Sequence, residues 1–155
     1  MAADVKFSVK DAVDKQILTP VTVSEELEQQ FIKKSRSDSW KLLPISIIVS
    51  AVVIVIIALL IYFFELFIIS TIGVICILYP AFAVYNIAAT AKAIKKKDYE
   101  FMSGEIIGKD DSGYRVRGLE AHNIHPLIGK LEYNNGEKVI VARLGDDLNI
   151  ISESF

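Results

Sequence analysis

The chain has 155 residues, 52% of them hydrophobic, with a formal charge of −2 and one cysteine. Between Leu42 and Ala91 Glu65 is the one charged residue, so the hydrophobicity belongs to a membrane-length block and not to a large soluble core. The lone thiol, Cys76, excludes an internal disulfide and a cysteine-pair metal site.

The net charge conceals an asymmetry along the chain. Residues 1–41 carry seven acidic and seven basic side chains, residues 92–97 four lysines and no acid, and residues 98–155 eleven acidic and six basic groups. An acidic C-terminal third does not suit a nucleic-acid surface, so nucleic acid is not an expected partner.

Residues 1–21 have mixed charge and scattered apolar groups, and the reading is a flexible N-terminal segment without a targeting signal. Residues 22–40 begin with TVSE, which reads as a capping box with Thr22 as N-cap and Glu25 three residues on. Glu25, Glu26 and Glu28 precede Lys33, Lys34 and Arg36, the order a helix dipole favours. Leu27 and Phe31 share one face of this amphipathic helix, which either lies on the membrane surface or stands as a solvated stalk.

Residues 41–97 read as a two-helix transmembrane hairpin. Splitting the block at Glu65 gives Leu42 to Phe64 and Leu66 to Ala91, each long enough to cross a bilayer as a helix that satisfies its own backbone. Trp40, Lys41, Lys95, Lys96 and Lys97 are the expected interfacial anchors. Lysines at both outer ends and none at the tip place both termini in the cytoplasm. Pro44 suits the first turn of a helix, whereas Pro80, near the middle of the second span, frees a backbone carbonyl. A second reading turns the chain at Ser70, Thr71 and Gly73 and buries the Glu65 carboxylate inside a span, where such groups mark ion or proton paths. Glu65 is thus a hairpin tip or a buried carboxylate.

After Asp98 the period changes to two. Strands are expected at Tyr99 to Gly108, Tyr114 to Leu119, Leu127 to Tyr133, Lys138 to Leu144 and Leu148 to Ser152, with Asn134-Asn135-Gly136 as a hairpin turn. Gly104, Gly108 and Gly118 are the expected bends. In Tyr114 to Gly118 the tyrosine and valine face one way and Arg115 and Arg117 the other. Residues 98–155 therefore predict a small cytoplasmic β-barrel of OB or SH3-like type. The fold class is a membrane α-helical hairpin of two transmembrane helices plus a small all-β C-terminal barrel.

The terminal stretch NNGEKVIVARLGDDLNII resembles the last hairpin of the soluble domain of the NfeD family at Gly136, Val139, Val141, Leu144, Gly145, Leu148 and Ile150. SGEI at Ser103 to Ile106 and SGYRV at Ser112 to Val116 fit its earlier strands. The resemblance implies a small membrane protein with an OB barrel and a stomatin-like protein partner.

Motifs for catalysis are missing. His122 and His125 lie three apart in one polar loop, short of the three or four ligands a metal needs. Asp110, Asp111, Asp146 and Asp147 occupy turn positions. No catalytic, cofactor-binding or metal residues are expected, and no cofactor. Two functions fit: a membrane-anchored, non-enzymatic interaction or scaffold protein, or a subunit of an oligomeric channel or transporter in which Glu65, Pro80 and Asn86 line a path. The partners expected are the lipid bilayer and either another protein or further copies of the chain, in a bacterial plasma membrane.

Overall fold

The alternating residues after Asp98 pair into a mixed sheet, and the N-terminal flank adds one more strand to it. The computed structural model describes residues 4–64 and 70–151, without the side chains of residues 64, 70–75 and 77. Helix α1 (Val5–Asp14) is followed by strand β1 (Thr19–Pro20), α2 (Glu25–Phe64), α3 (Ser70–Lys95), β2 (Tyr99–Asp110), β3 (Gly113–Val116), β4 (His125–Ile128), β5 (Lys138–Leu144) and β6 (Asp147–Ile151). The chain forms two units, Met1–Lys34 with Lys92–Phe155, and Ser35–Ala91.

In the first unit the strand order is β1-β2-β5-β6-β4, with β3 pairing β2 at the side. All ladders are antiparallel except β4 with β6. By its ladders this is an open sheet, coarser than the barrel expected from the sequence. An isolated bridge, Tyr114 with Ile124, joins β3 to the residue before β4 through N–H···O bonds of 2.9 and 3.1 Å.

Both faces of the sheet are covered. On one, Val9, Ala12 and Leu18 pack with Met102, Ile106, Tyr114, Val116, Val139, Val141 and Ile150. On the other, Phe31 packs with Ile140, Ala142, Leu144 and Ile151, flanked by Leu27, Ala93, Ile94, Tyr99 and Phe101. Phe31 meets the Phe101 ring edge-on at a centroid distance of 5.3 Å. Strand β5 therefore alternates between two cores, and its residues after Lys138 are all buried.

Several expectations change. The segment expected to be flexible, 1–21, is from residue 4 onward a helix, a turn and a strand, because Val9, Ala12 and Leu18 find an apolar face to fill. The cap of α2 is Ser24, whose Oγ accepts the Leu27 N–H at 3.3 Å, and Thr22 lies before the helix. Leu27 and Phe31 meet the sheet, neither membrane nor solvent. Pro44 sits inside a continuous 40-residue helix, not in a first turn. Ser70, Thr71 and Gly73 belong to the start of α3 and form no turn between helices.

The strand expected at Leu127 to Tyr133 is only His125–Ile128, and it pairs in parallel with β6. No hairpin forms at Asn134 to Gly136, because Tyr114 holds the preceding loop. Its hydroxyl donates to the Leu131 carbonyl and accepts the Tyr133 N–H, each at 3.2 Å. The β5–β6 hairpin and the outward Arg115 and Arg117 match expectation.

Gly118 takes φ +85, where a Cβ would also meet Ile17 at 2.9 Å. At Gly104 a Cβ would stand 2.7 Å from Val116 Cγ1 and 2.9 Å from Leu18 Cδ2, so the N-terminal segment lies on bare backbone. Gly104→Ala is expected to cost about 1–3 kcal/mol by overpacking, measured as a lower denaturation midpoint of the full chain in detergent. An unchanged midpoint would mean that residue 18 does not rest on this strand.

Candidate functional site

In the second unit, Leu43, Ser46, Ser50, Val53, Ile57 and Leu60 are the less exposed residues of α2 from Leu42 to Leu60, three and four apart along one stripe. On α3 the corresponding stripe is Cys76, Pro80, Ala83, Ile87 and Thr90, with Asn86 also half-buried beside it. This spacing is the seam of two helices packed side by side. The seam is built partly of small and hydroxyl side chains, which allow close approach where lipid gives no hydrophobic drive. Away from the seam the surface is apolar and exposed, including Ile45, Ile48, Val52, Val55 and Leu59 on α2 and Leu78, Phe82 and Val84 on α3.

One bond across the seam follows from covalent structure. Pro80 has no N–H, so the Cys76 carbonyl four residues earlier lacks its helical donor. The Ser50 hydroxyl supplies one, donating to Cys76 O at 2.7 Å. A serine in the middle of an Ile/Val run was the available signal in the sequence.

Helix α2 is long and apolar enough to cross a membrane. Trp40 and Tyr62, 54% and 80% exposed, bracket this stretch. Their separation along the axis is about 33 Å at 1.5 Å per residue, close to a hydrocarbon core. Lys41 is exposed and ion-paired with Asp38. Lys95, Lys96 and Lys97 are exposed at the end of α3. Glu65, the proposed tip or buried carboxylate, lies outside the described residues.

In the first unit, a cleft of about 560 Å³ opens beside α1, floored by Val9, Val13, Pro20, Val21, Phe101 and Met102. Its polar wall centres on Arg143, 4% exposed, directly across the ladder from Glu100. The guanidinium donates to Glu100 Oε1 at 3.1 Å and Gly145 O at 2.8 Å, and meets Asp98 Oδ1 at 2.9 Å. Lys6 on α1 reaches the other Asp98 oxygen at 2.6 Å. The Lys6 hydrogen bond, followed by that from Arg143, holds the Asp98 carboxyl below the usual range although burial acts against this. Sequence reasoning missed this cluster; an arginine inside the run Val139 to Leu144 was its signal.

Several other polar residues hold the scaffold together. His122 Nε2 lies 2.9 Å from Ser8 Oγ and ties its loop to α1, while His125 belongs to β4. Asp110 accepts the Ser112 hydroxyl at 2.6 Å, the Arg115 side chain at 2.9 Å and the Ser112 N–H at 2.9 Å, bonds that hold its carboxyl at about 2. The Tyr99 hydroxyl donates to Glu28, and that bond raises its pKa. Among the described residues no three His, Cys, Asp or Glu side chains converge as metal ligands would.

Comparison with family models, curated proteins and solved structures finds no match.

Two outcomes follow from these bonds. Ser50→Ala should weaken the helix pair by about 1 kcal/mol, and much less in a Pro80→Ala background, where the substitution restores the N–H. A double-mutant cycle on unfolding in detergent measures this coupling, and additive effects would exclude it. Because folding lowers the Asp98 pKa, its contribution is complete above the unfolded value of about 4 and is lost as pH falls through the folded value. Asp98→Asn should flatten the fall in stability as the pH drops below about 4, followed by thermal melts on the acid side of that value.

Proposed function

We propose that the chain is a two-span membrane anchor that carries a small β-barrel at the cytoplasmic face, where the barrel binds another protein or further copies of itself. The observation that carries this reading is α2: its apolar stretch is exposed over most of its surface, as a lipid-facing helix requires and a soluble core helix does not. A second crossing by α3 is supported by its length and by Lys92 and Lys95 in its last turn.

The barrel is the finer reading of the sheet. Taken with the Tyr114–Ile124 bridge, the order β2-β3-β4-β6-β5 returns to β2, which suits a partly open five-stranded barrel of OB type. That reading agrees with the likeness to the NfeD family and keeps a stomatin-like protein as the partner to test. A scaffold role is favoured over a channel subunit lined by Glu65, Pro80 and Asn86. The carbonyl that Pro80 frees is already satisfied by Ser50, and Asn86 lies beside the helix seam.

Single cysteines at residues 65, 71 and 134, in a Cys76→Ala background, test the topology with a membrane-impermeant thiol reagent. In intact cells residue 65 should be labelled and residue 134 protected, with both labelled after permeabilisation. Protection at 65 with labelling at 71 would replace the hairpin with the buried-carboxylate arrangement.

A further inference from the structure

Six lysines stand where the apolar helices join the sheet. Lys33 and Lys34 lie on α2, and Lys92, Lys95, Lys96 and Lys97 lie on or just after α3. All six are exposed, and none of their ammonium groups makes a hydrogen bond or ion pair among the described residues. Of the other cations among the described residues, Lys6, Lys15, Lys41, Lys130, Arg115, Arg117 and Arg143 each hold a carboxylate, whereas Lys10, Arg36, Lys109 and Lys138 do not. Acids are not scarce nearby, but they are engaged: Asp98 with Lys6 and Arg143, Glu28 with the Tyr99 hydroxyl, and Asp38 with Lys41.

The two lysine-bearing segments are neighbours. Phe31 and Ile32 of α2 belong to the same apolar cluster as Ala93 and Ile94 of α3, so the lysines flank one packed junction. Lys97 also holds an unusual place. The Asp98 N–H bonds to Ala93 O at 2.9 Å and the Lys97 N–H to Ile94 O at 3.1 Å, closing α3 in a Schellman motif with Lys97 at φ 52. Glycine is the usual residue there, and this chain carries a cation instead.

We propose that this lysine collar binds the anionic phosphate headgroups of membrane lipids in the leaflet beside the sheet. The inference rests on the reading of the apolar helices as membrane spans. Clustered lysines directly beside a span attract an anionic leaflet over about a Debye length. The sheet, with eleven acidic against six basic groups in residues 98–155, is repelled by the same leaflet. Attraction is therefore confined to the collar.

Trp40 is the single tryptophan and is 54% exposed, so it serves as a built-in donor. The full chain is reconstituted in phosphatidylcholine vesicles with trace dansyl-phosphatidylglycerol or dansyl-phosphatidylcholine, and energy transfer from Trp40 is compared. Transfer to the anionic probe should exceed transfer to the zwitterionic one by about threefold at low salt and approach equality at high salt. The preference should vanish in Lys92→Gln/Lys95→Gln/Lys96→Gln/Lys97→Gln and persist when the same four become arginine. Equal transfer in the natural chain, or a preference that survives the glutamines, overturns the collar and leaves the membrane reading intact. No transfer to either probe overturns the membrane reading itself.

Discussion

Strand β5 is the member on which the rest of the sheet domain depends. Its even-numbered residues Ile140, Ala142 and Leu144 face the first turns of α2 and the last turn of α3, and its odd-numbered Val139 and Val141 face the core shared with α1. A strand buried on both sides reads as a continuous apolar run, and this one does. Full burial of a Phe31-sized side chain contributes about 2–3 kcal/mol. The outer layer is therefore a substantial part of what stabilises so small a sheet. The first turns of α2 and the last turn of α3 are thus structural members of the sheet domain as well as parts of the two long helices.

That double role explains what could be read from the sequence. Periodicity located β5 and the β5–β6 turn, because each depends on local alternation and on Gly145 with its positive φ. The faces of Arg115 and Arg117 followed from the same alternation. Three things did not follow. Val9, Ala12 and Leu18 are too sparse to signal a helix that packs, since the surface they complete lies a hundred residues further on. The parallel pairing of β4 with β6 is non-local and leaves no periodic trace. The Asn134 to Gly136 hairpin signal was overridden by Tyr114, whose hydroxyl bonds two backbone groups of the loop before it.

The candidate sites divide in the same way. A freed carbonyl at Pro80 is a covalent certainty, but its donor, Ser50, lies 26 residues earlier on another helix. Arg143 is a charge in an apolar run, a signal passed over in the sequence, and its partners Asp98 and Glu100 become neighbours only through the β2–β5 register. In both places the sequence states a need and only the fold supplies what meets it. Because Lys6 completes the Arg143 cluster, the N-terminal helix is held by charge as well as by apolar packing.

Strand β1 is two residues long and ends in proline. An open sheet edge presents unpaired N–H and C=O groups to any strand that approaches it. Thr19 and Pro20 occupy that edge along Met102 and Ser103, and Pro20 offers no N–H to an incoming strand. The N-terminal segment thus covers the edge of β2 at Met102 and Ser103 and closes it with a residue that cannot donate a ladder hydrogen bond.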